Sequence, residues 1–477
     1  MSLITSTIQR PHNSVNDIPQ KDRYLLTLPT ELTAEILKLV EWTDILHIRR
    51  TCKYLAEVTR SRNIWSHLVI EYMSTNSLLP CLERPVSMYS SQELENIFLR
   101  WKSADRAFES STLEPARERR FTAVDARWTH LVKGGRWFLM ISQTASMTYF
   151  DLDSEIITGI KLIPDQISNT TKISTSIEHD TQSPFLRLTV ALSFPSWQLS
   201  DRYLIQVWRV AAVLDDKNYV VGLKATQIAW FGHDLAITRI ISLSLLGTDL
   251  AFIGYSTSHR LHVYVVNWQE FSKNPTQNQV WSVPAMLSEL GLRKKLLVAT
   301  HNNYMIYDYA SPSTYSSSSG FQQPSFQTVW ETEDHELIGY FSSACFFDDT
   351  KASIVRHCQS SIRAITFTHS SVAVEDVVDT LNAPMDDFTL FSVVYFGYRR
   401  SFLISSHLVR VICYPPLNVS AGCDDGPERM NMAWCRKCDL KYVGGYMDIA
   451  ADEDTGRIMY LTSKLYNSFA VVDFAKI

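Results

Sequence analysis

Apolar positions near the amino terminus recur at helical spacing. Between residues 28 and 40 they are three or four residues apart, which places on one predicted helix face Leu28, Leu32, Ile36, Leu39 and Val40. Pro29 suits a first helical turn, because its missing N–H would have no partner there. The spacing therefore predicts an amphipathic helix that begins next to Pro29.

Two further short helices and a closing turn are predicted after the first helix. Thr43 and Asp44 are candidate N-cap residues for the second helix, and the third helix begins near Thr51. The apolar residues of these elements are Ile45, Leu46, Ile48, Leu55, Val58, Ile64, Trp65 and Leu68. Three helices within about forty-five residues cannot bury all of this apolar surface among themselves. Either a partner covers the remainder, or the helices pack against the rest of their own chain.

The order and spacing of these residues resemble the F-box, the three-helix adaptor module of SCF-type ubiquitin ligases. The matching positions are Leu28-Pro29, Glu31-Leu32, Ile36-Leu37, Asp44-Ile45-Leu46, Arg49, Cys52-Lys53 and Trp65. The sequence departs from the common pattern at Trp42, where a proline is frequent, and at Thr51, where an aliphatic residue usually precedes the cysteine. These departures bear on which contacts the module makes with its partner more than on its resemblance to the F-box.

The resemblance implies that the module docks the Skp adaptor subunit, which links such proteins to the cullin and the RING subunit. The implied partner-binding residues are Leu28, Pro29, Leu32, Ile36, Leu37, Ile45, Leu46, Cys52 and Trp65. Within this set, the residues expected to be exposed for docking are Leu28, Pro29, Leu32, Ile36 and Ile45.

A second helical stretch is predicted from residue 91 to about residue 110. Its apolar residues lie on one plausible face: Leu94, Ile97, Phe98, Trp101 and Phe108. The charged residues 114–120 then suggest a domain boundary. The predicted organisation is a disordered tail at 1–22, the F-box at 23–70, a helical linker at 71–120 and a β-propeller at 121–477.

From about residue 121 the pattern changes to period-two alternation with β-branched and aromatic runs, which is typical of strands. Clear strands are predicted at residues 137–142, 147–151, 185–192, 203–210, 249–255, 260–267, 295–299, 303–307, 361–368, 391–396, 408–414, 457–461 and 469–473. They come in hairpins joined by short polar turns.

A faint repeat runs through these strands, with apolar and aromatic anchors near residues 151, 208, 267, 308, 367, 412 and 473. A mean step of roughly fifty-four residues is typical of four-stranded propeller blades. Closure also removes exposed sheet edges, and tight turns are predicted at Gly135-Arg136 and Gly456-Arg457. The expected fold class is α+β multidomain, with a small all-α F-box before an all-β propeller of about seven blades, similar to fungal F-box proteins with a divergent WD-like propeller. Six or eight blades, or a double β-sandwich, are the alternatives.

Composition narrows the function classes. The net charge of −5 gives no basis for a nucleic-acid footprint. The first twenty residues lack the apolar run of a signal peptide, and the most apolar window is interrupted by polar residues, so we expect a cytoplasmic or nuclear protein. Cys435 and Cys438 have metal-ligand spacing without a second pair, so no metal or cofactor is expected.

Motifs of catalysis are missing from the sequence. It contains no Gly-x-Ser-x-Gly elbow, no phosphate-binding glycine loop and no His-Glu-x-x-His motif, and its paired aspartates fall in predicted loops. We therefore expect a non-enzymatic substrate-recognition subunit of an SCF-type ligase, with its target on the propeller. A scaffold that uses its F-box outside a ligase is the alternative, and a propeller hydrolase is a third hypothesis.

Overall fold

The computed structural model describes the following residues: 27–75, 81–110, 112–123, 125–167, 172–195, 203–232, 237–256, 261–273, 281–284, 287–290, 295–299, 303–308, 327–333, 345–346, 351–357, 361–368, 372–379, 393–397, 399–404, 408–414, 434–439, 449–463 and 468–476. Within these ranges, no helix is both long and apolar enough to span a membrane. The chain divides into two compact units: unit 1 is Met1–Glu71 with Ser90–Glu95, and unit 2 is Tyr72–Tyr89 with Asn96–Ile477. The predicted tail at 1–22 lies outside the described residues.

The helices are α1 Thr30–Leu37, α2 Trp42–Ile48, α3 Lys53–Val58, α4 Arg62–Thr75, α5 Ser91–Glu109 and α6 Trp268–Lys273, with a 3-10 turn at Val86–Met88. Two local predictions are wrong. Helix α2 begins at Trp42 after the extended residue Glu41, so neither Thr43 nor Asp44 is its N-cap. Ile64, Trp65 and Leu68 lie within the fourteen-residue helix α4 instead of a closing turn.

Unit 1 has its own apolar core. Its buried apolar residues are Ala34, Leu37, Ile45, Leu55, Val58, Ile64, Trp65, Leu68, Val69 and Leu94. Trp65 is the largest of them, and its indole N–H donates to the Thr59 carbonyl at 2.8 Å. The indole therefore fills the core without leaving its polar group unsatisfied.

A partly buried ion pair ties the start of α5 to this core. Arg49 donates from Nη2 to the Glu95 carboxylate at 3.0 Å and to the Thr59 carbonyl at 3.2 Å. Its guanidinium carbon also lies 5.6 Å from the centre of the Trp65 ring. At the start of α5, Ser90 and Glu93 form a capping box, since each side chain accepts from the backbone N–H of the other. Residues 90–95 thus complete a module whose first residues lie far earlier in the chain.

The strands of unit 2 are β1 Arg117–Thr122, β2 Ala126–Leu131, β3 Trp137–Ser142, β4 Met147–Asp151, β5 Gly159–Ile163, β6 Ser174–His179, β7 Arg187–Pro195, β8 Tyr203–Leu214, β9 Val220–Gly232, β10 Ile237–Leu246, β11 Asp249–Ser256, β12 Leu261–Asn267, β13 Trp281–Pro284, β14 Leu287–Leu290, β15 Lys295–Ala299, β16 Asn303–Asp308, β17 Gln327–Glu333, β18 Cys345–Phe346, β19 Lys351–His357, β20 Ser361–Thr368, β21 Val372–Asp379, β22 Val393–Phe396, β23 Arg400–Ile404, β24 Leu408–Cys413, β25 Trp434–Asp439, β26 Ile449–Asp452, β27 Arg457–Ser463 and β28 Ser468–Asp473. Each of the thirteen ranges predicted from the sequence overlaps one of these strands.

The described strands form seven four-stranded antiparallel sheets. Sheets I to VI take their strands in chain order, as β2–β5, β6–β9, β10–β13, β14–β17, β18–β21 and β22–β25. Sheet VII joins β26, β27 and β28 to β1. Strand β1 occupies residues 117–122, so part of the charged segment predicted as a boundary is instead the outer strand of a sheet. The number of blades in the whole chain stays a prediction.

Neighbouring sheets bury apolar side chains against each other. Separate apolar clusters join sheets VI and VII, VII and I, I and II, II and III, and III and IV. Sheets VII, I, II and III are therefore buried on both faces, as in radial repetition. Each sheet of a double β-sandwich buries only one face, so the sandwich alternative is wrong.

The two predicted Gly-Arg turns are confirmed, and they share one arrangement. Gly135 and Gly456 both have positive φ, at 70° and 67°, where glycine is favoured. The arginine after each glycine pairs with the aspartate that ends the third strand of its sheet. Arg136 donates to Asp151 at 2.8 Å, and Arg457 pairs in the same way with Asp473.

Two histidines lie side by side between sheets I and II. The ring centroids of His130 on β2 and His179 on β6 are 5.8 Å apart. His130 Nε2 and both ring nitrogens of His179 are buried without a hydrogen-bond partner among the described residues. Burial, with a smaller effect of Lys133, lowers the pKa of His130 to about 4. Burial likewise holds the pKa of His179 well below its usual range.

We expect Trp65→Ala to destabilise unit 1 by about 3–5 kcal/mol, because a large buried side chain is removed. Hydrogen exchange of the α1–α4 amides in the full chain measures this loss as faster exchange. Ile70→Ala on the same helix α4 is the matched control, since Ile70 is 54% exposed and its change should stay within about 0.5 kcal/mol. Equal exchange rates in Trp65→Ala and the wild type would contradict the assigned core.

The histidine pair predicts acid sensitivity of unit 2. Both imidazoles are neutral when folded, whereas the unfolded chain binds protons near pH 6.5, so their contribution to the free energy of unfolding falls as the pH drops from about 6.5 towards 4. We expect His130→Gln to reduce the loss of unfolding free energy between about pH 7 and pH 5 by about 2 kcal/mol. Urea unfolding at both pH values measures it. His47→Gln, a change at a side chain 74% exposed, should leave the wild-type pH dependence intact.

Candidate functional site

Helix α1 is apolar on two sides. One side buries Ala34 and Leu37 in the core of unit 1. On the other side, Leu32 is 53% exposed, Ile36 is 43% exposed and Leu39, just beyond the helix, is 87% exposed. With the exposed Pro29 these residues form an apolar strip, which we name the α1 face. Exposed aliphatic residues in such a row are typical of a docking surface.

Hydrogen bonds within unit 1 fix the backbone at the start of the α1 face. The Tyr54 hydroxyl donates to the Leu28 carbonyl at 2.7 Å and also lies 3.2 Å from the Thr33 hydroxyl. These contacts position Pro29 directly before the first helical residue, so it precedes the helix instead of lying in the first turn. The chain direction at the beginning of α1 is thus set by a tyrosine from α3.

The flank of the α1 face is charged and ordered. Glu35 accepts from Lys38 at 2.7 Å and from the Asn63 side-chain amide at 3.0 Å. The hydrogen bond from Lys38 is the main reason why the pKa of Glu35 is lowered. A partner that covers Leu32 and Ile36 therefore meets an acidic and a basic side chain already held in place beside them.

The structure divides the predicted partner-binding residues into two groups. Pro29, Leu32 and Ile36 are exposed, and Leu28, Leu46 and Cys52 are half-buried. Leu37, Ile45 and Trp65 are buried in the core of unit 1. The expectation that Ile45 is exposed is wrong, because α2 turns this side chain inward. In this structure Leu37, Ile45 and Trp65 stabilise the core of unit 1. Contact with the adaptor by any of the nine residues stays a prediction.

Sequence reasoning missed two members of this unit. Leu39 was assigned to the apolar helix face but not to the binding set, although it is the most exposed large apolar residue of α1 and its C-terminal turn. Glu95 was not singled out, and only the fold brings it to Arg49, forty-six positions earlier in the sequence. For Leu39 the available signal was its position on the same predicted apolar face as Leu32 and Ile36. For Glu95 the sequence offered no signal.

A second candidate surface belongs to unit 2, where residues 81–89, which include one 3-10 turn, and the helical residues 96–109 pack on the sheets. These residues are here called the linker segment. Asp105 on α5 accepts from Arg400 at 2.8 Å and from the Tyr72 hydroxyl at 3.1 Å. Phe108 is fully buried, with ring centroids 5.7 Å from Phe402 and 5.6 Å from Phe474. This part of α5 therefore belongs to the core of the β-domain.

The earlier part of the linker segment contacts sheets I and II. Glu83 pairs with Arg136 at 2.9 Å, and its carbonyl accepts from the Leu186 amide at 2.9 Å. Burial raises the pKa of Glu83, although Arg136 opposes that effect. The Arg84 guanidinium lies over two rings, 4.3 Å from the centre of Tyr89 and 5.0 Å from that of Tyr219.

All of these contacts fall at one end of the sheets. They involve the turns after β2, β6, β8, β22 and β26, and Arg100 also binds Asp153 after β4 at 3.2 Å. Each of these turns joins the first and second or the third and fourth strand of its sheet, so in an up-and-down sheet they share one end. We name it the linker end. Of the turns between second and third strands, the structure describes in full the one at residues 143–146, which lies at the opposite end of sheet I.

The chain is similar to one family model and to solved structures. Residues 25–71 match the family model described as F-box-like. A solved structure of the β-propeller domain of Cps50 (Swd1) from Myceliophteria thermophila is 8% identical, with a TM-score of 0.45, over 74% of this chain and 98% of that chain. The WD40 domain of SCAP from fission yeast is 10% identical, with a TM-score of 0.35, over 74% and 85%. No curated protein matches the chain in sequence.

The propeller assignment for unit 2 rests on its own strand order and packing, because the described strands form seven four-stranded sheets and apolar clusters join five pairs of neighbouring sheets. The helical assignment rests on the family match together with the helices and exposed α1 face of unit 1. Both kinds of domain are protein-interaction modules. The chain thus carries an F-box-like module at residues 25–71 and a β-propeller-like domain.

Proposed function

We propose that the protein is the substrate-recognition subunit of an SCF-type ubiquitin ligase. The observation that carries this proposal is the α1 face, where Leu32, Ile36 and Leu39 are exposed on a module that matches the F-box-like family. The Skp adaptor subunit is the proposed partner of this face, and it links the chain to the cullin and the RING subunit. The proposed compartment is the cytoplasm or the nucleus.

Apolar burial supplies the proposed driving force for docking. Covering an aliphatic side chain stabilises a complex by about 1.5–3 kcal/mol when burial is complete. Three such residues, on a helix whose other side is anchored by Ala34 and Leu37, present this surface with little ordering cost on binding. The buried Trp65 and the Arg49–Glu95 pair support the helix from behind.

The propeller-like domain is the proposed site of the target protein. The linker segment already occupies the linker end of sheets I, II, VI and VII through Glu83, Arg84, Asp105 and Phe108. We place the target at the opposite end of the sheets. In this proposal the chain performs no chemistry of its own, and it acts by holding the target near the charged conjugating enzyme at high effective concentration.

Charge introduced into the α1 face tests the docking role. We expect Leu32→Asp and Ile36→Asp each to abolish binding of the Skp adaptor, because a carboxylate would be desolvated against an apolar partner without a counter-charge. Affinity measured with purified full-length chain and adaptor should fall by more than a hundredfold, or about 2.7 kcal/mol. Both positions are exposed, so circular dichroism should report an unchanged fold.

Ile70→Asp is the matched control for this experiment. Ile70 is 54% exposed on α4 of the same unit, and it is not part of the α1 face. Its change should leave the adaptor affinity within about twofold. Adaptor binding that survives both Leu32→Asp and Ile36→Asp would show that the docking face is misassigned.

Recovery of the cullin distinguishes a ligase subunit from a scaffold. We expect the full chain to co-purify with both the adaptor and the cullin, because the adaptor bridges them, and Leu32→Asp to lose both together. Affinity purification with proteasome inhibition measures this and should retain targets on the propeller-like domain. Recovery of the adaptor without the cullin would contradict the ligase role and indicate a scaffold that uses its F-box-like module outside a ligase.

A further inference from the structure

Sheet II has a hairpin that is longer than its neighbours. Strand β8 has 12 residues and β9 has 13, whereas β7 has 9. The register of β7 with β8 ends at Arg187 opposite Ala211, but β8 and β9 continue to pair as far as Leu214 opposite Val220. The end of the β8–β9 hairpin therefore extends beyond the rest of the sheet.

The register shows which side chains share a face of this sheet. Residues directly opposite each other in an antiparallel pair point to the same side. Arg187, Ala211 and Lys224 lie opposite one another across β7, β8 and β9, and Arg209 lies opposite Thr226 in the adjacent row. Val213, opposite Gly222, is in the row beyond. Because Val207 and Ala229 on this side pack towards sheet III, these residues continue the same face past the apolar cluster.

Three cations therefore lie close together on this face. Strands are about 4.8 Å apart and alternate residues on one strand are about 7 Å apart, which places Arg187, Arg209 and Lys224 within roughly 10 Å of one another. All three side chains belong to exposed residues. We name this group, with Val213, the overhang patch.

The acidic groups near the overhang patch do not neutralise it. Asp180 pairs with Arg187 at 3.5 Å. Glu178 lies opposite Thr189, but both of its oxygens accept from the Gly247 amide at 2.8 Å. Arg209 and Lys224 have no ion-pair or side-chain hydrogen-bond partner within the part of the chain that the structure describes. The patch thus holds two uncompensated positive charges in a protein with a net charge of −5.

Apolar side chains border these cations. Val213 is 37% exposed, and Val221, in the bulge where β9 has an extra residue, is 56% exposed. Tyr219 at the turn of the hairpin is held against Arg84. Exposed aliphatic groups beside unpaired cations complement a segment that carries carboxylates and an aliphatic residue.

We propose that the overhang patch is a second protein-docking surface, which binds an acidic segment of a partner protein that also carries an aliphatic residue. Carboxylates of the segment would pair with Arg209 and Lys224, and its aliphatic side chain would cover Val213 and Val221. Three cations are too few for a nucleic-acid footprint on an acidic protein. This surface is separate from the α1 face, and it does not depend on the proposed ligase role.

Charge reversal tests the patch in the purified full-length chain. The probe is a short fluorescein-labelled peptide composed of glutamate and leucine, with binding followed by fluorescence anisotropy at low and at physiological salt. We expect binding that weakens with salt and an affinity about tenfold lower in the double variant Arg209→Glu, Lys224→Glu. Methyl spectra of valine-labelled protein should show shifts at Val213 and Val221 when the peptide is added.

A double variant with the same charge change is the control. Arg117→Glu, Arg127→Glu replaces two exposed strand arginines outside sheet II and should bind the peptide within about twofold of the wild type. Thermal unfolding of both double variants checks that they fold. Equal affinity of the wild type and the Arg209, Lys224 variant, or equal losses in the two double variants, would overturn the proposal. So would tighter binding of an oligothymidylate that is lost on the same charge reversal, since the patch would then recognise nucleic acid.

Discussion

The two-sided apolarity of helix α1 is the constraint on which the proposed function of this protein depends. A helix in a small unit can bury one side, and here that side holds Ala34 and Leu37. Leu32 and Ile36 point the other way, and the described helices of unit 1 leave both of them exposed. The unit can fold with this surface exposed because Trp65 and the Arg49–Glu95 pair stabilise its inner side. Stability and recognition are thus divided between opposite faces of one helix.

The propeller-like domain solves a related problem by repetition. Sheets VII, I, II and III have apolar residues on both faces, and radial packing places a neighbouring sheet against each face. The linker segment then covers apolar and charged groups at one end, where Phe108 reaches Phe402 and Phe474. Packing of this kind leaves the other end of the sheets as the proposed surface for a target.

Much of this architecture could be predicted from the sequence, because periodicity is a local property. The helical steps after Leu28 and the alternation after residue 121 identified both kinds of unit, and Gly135 and Gly456 lie in the predicted turns. Side-chain direction was less accessible. Ile45 and Leu46 are neighbours in a short helix, and only the tertiary packing makes the first buried and the second half-buried. Ion pairs between residues far apart in the sequence could not be predicted either, since no local pattern joins Arg49 to Glu95.

Charge pairing separates structural cations from candidate binding cations in this chain. Arg136 and Arg457 lie at equivalent places in their sheets and each meets an aspartate at the end of the third strand, so their charges hold the turns together. Arg400 is likewise matched by Asp105. Arg209 and Lys224 lie on an equally regular strand pair, yet the register gives them Thr226 and Ala211 as neighbours instead of carboxylates. Among the described residues Arg209 and Lys224 have no such carboxylate, so electrostatic attraction to an outside partner is the role that we propose for them.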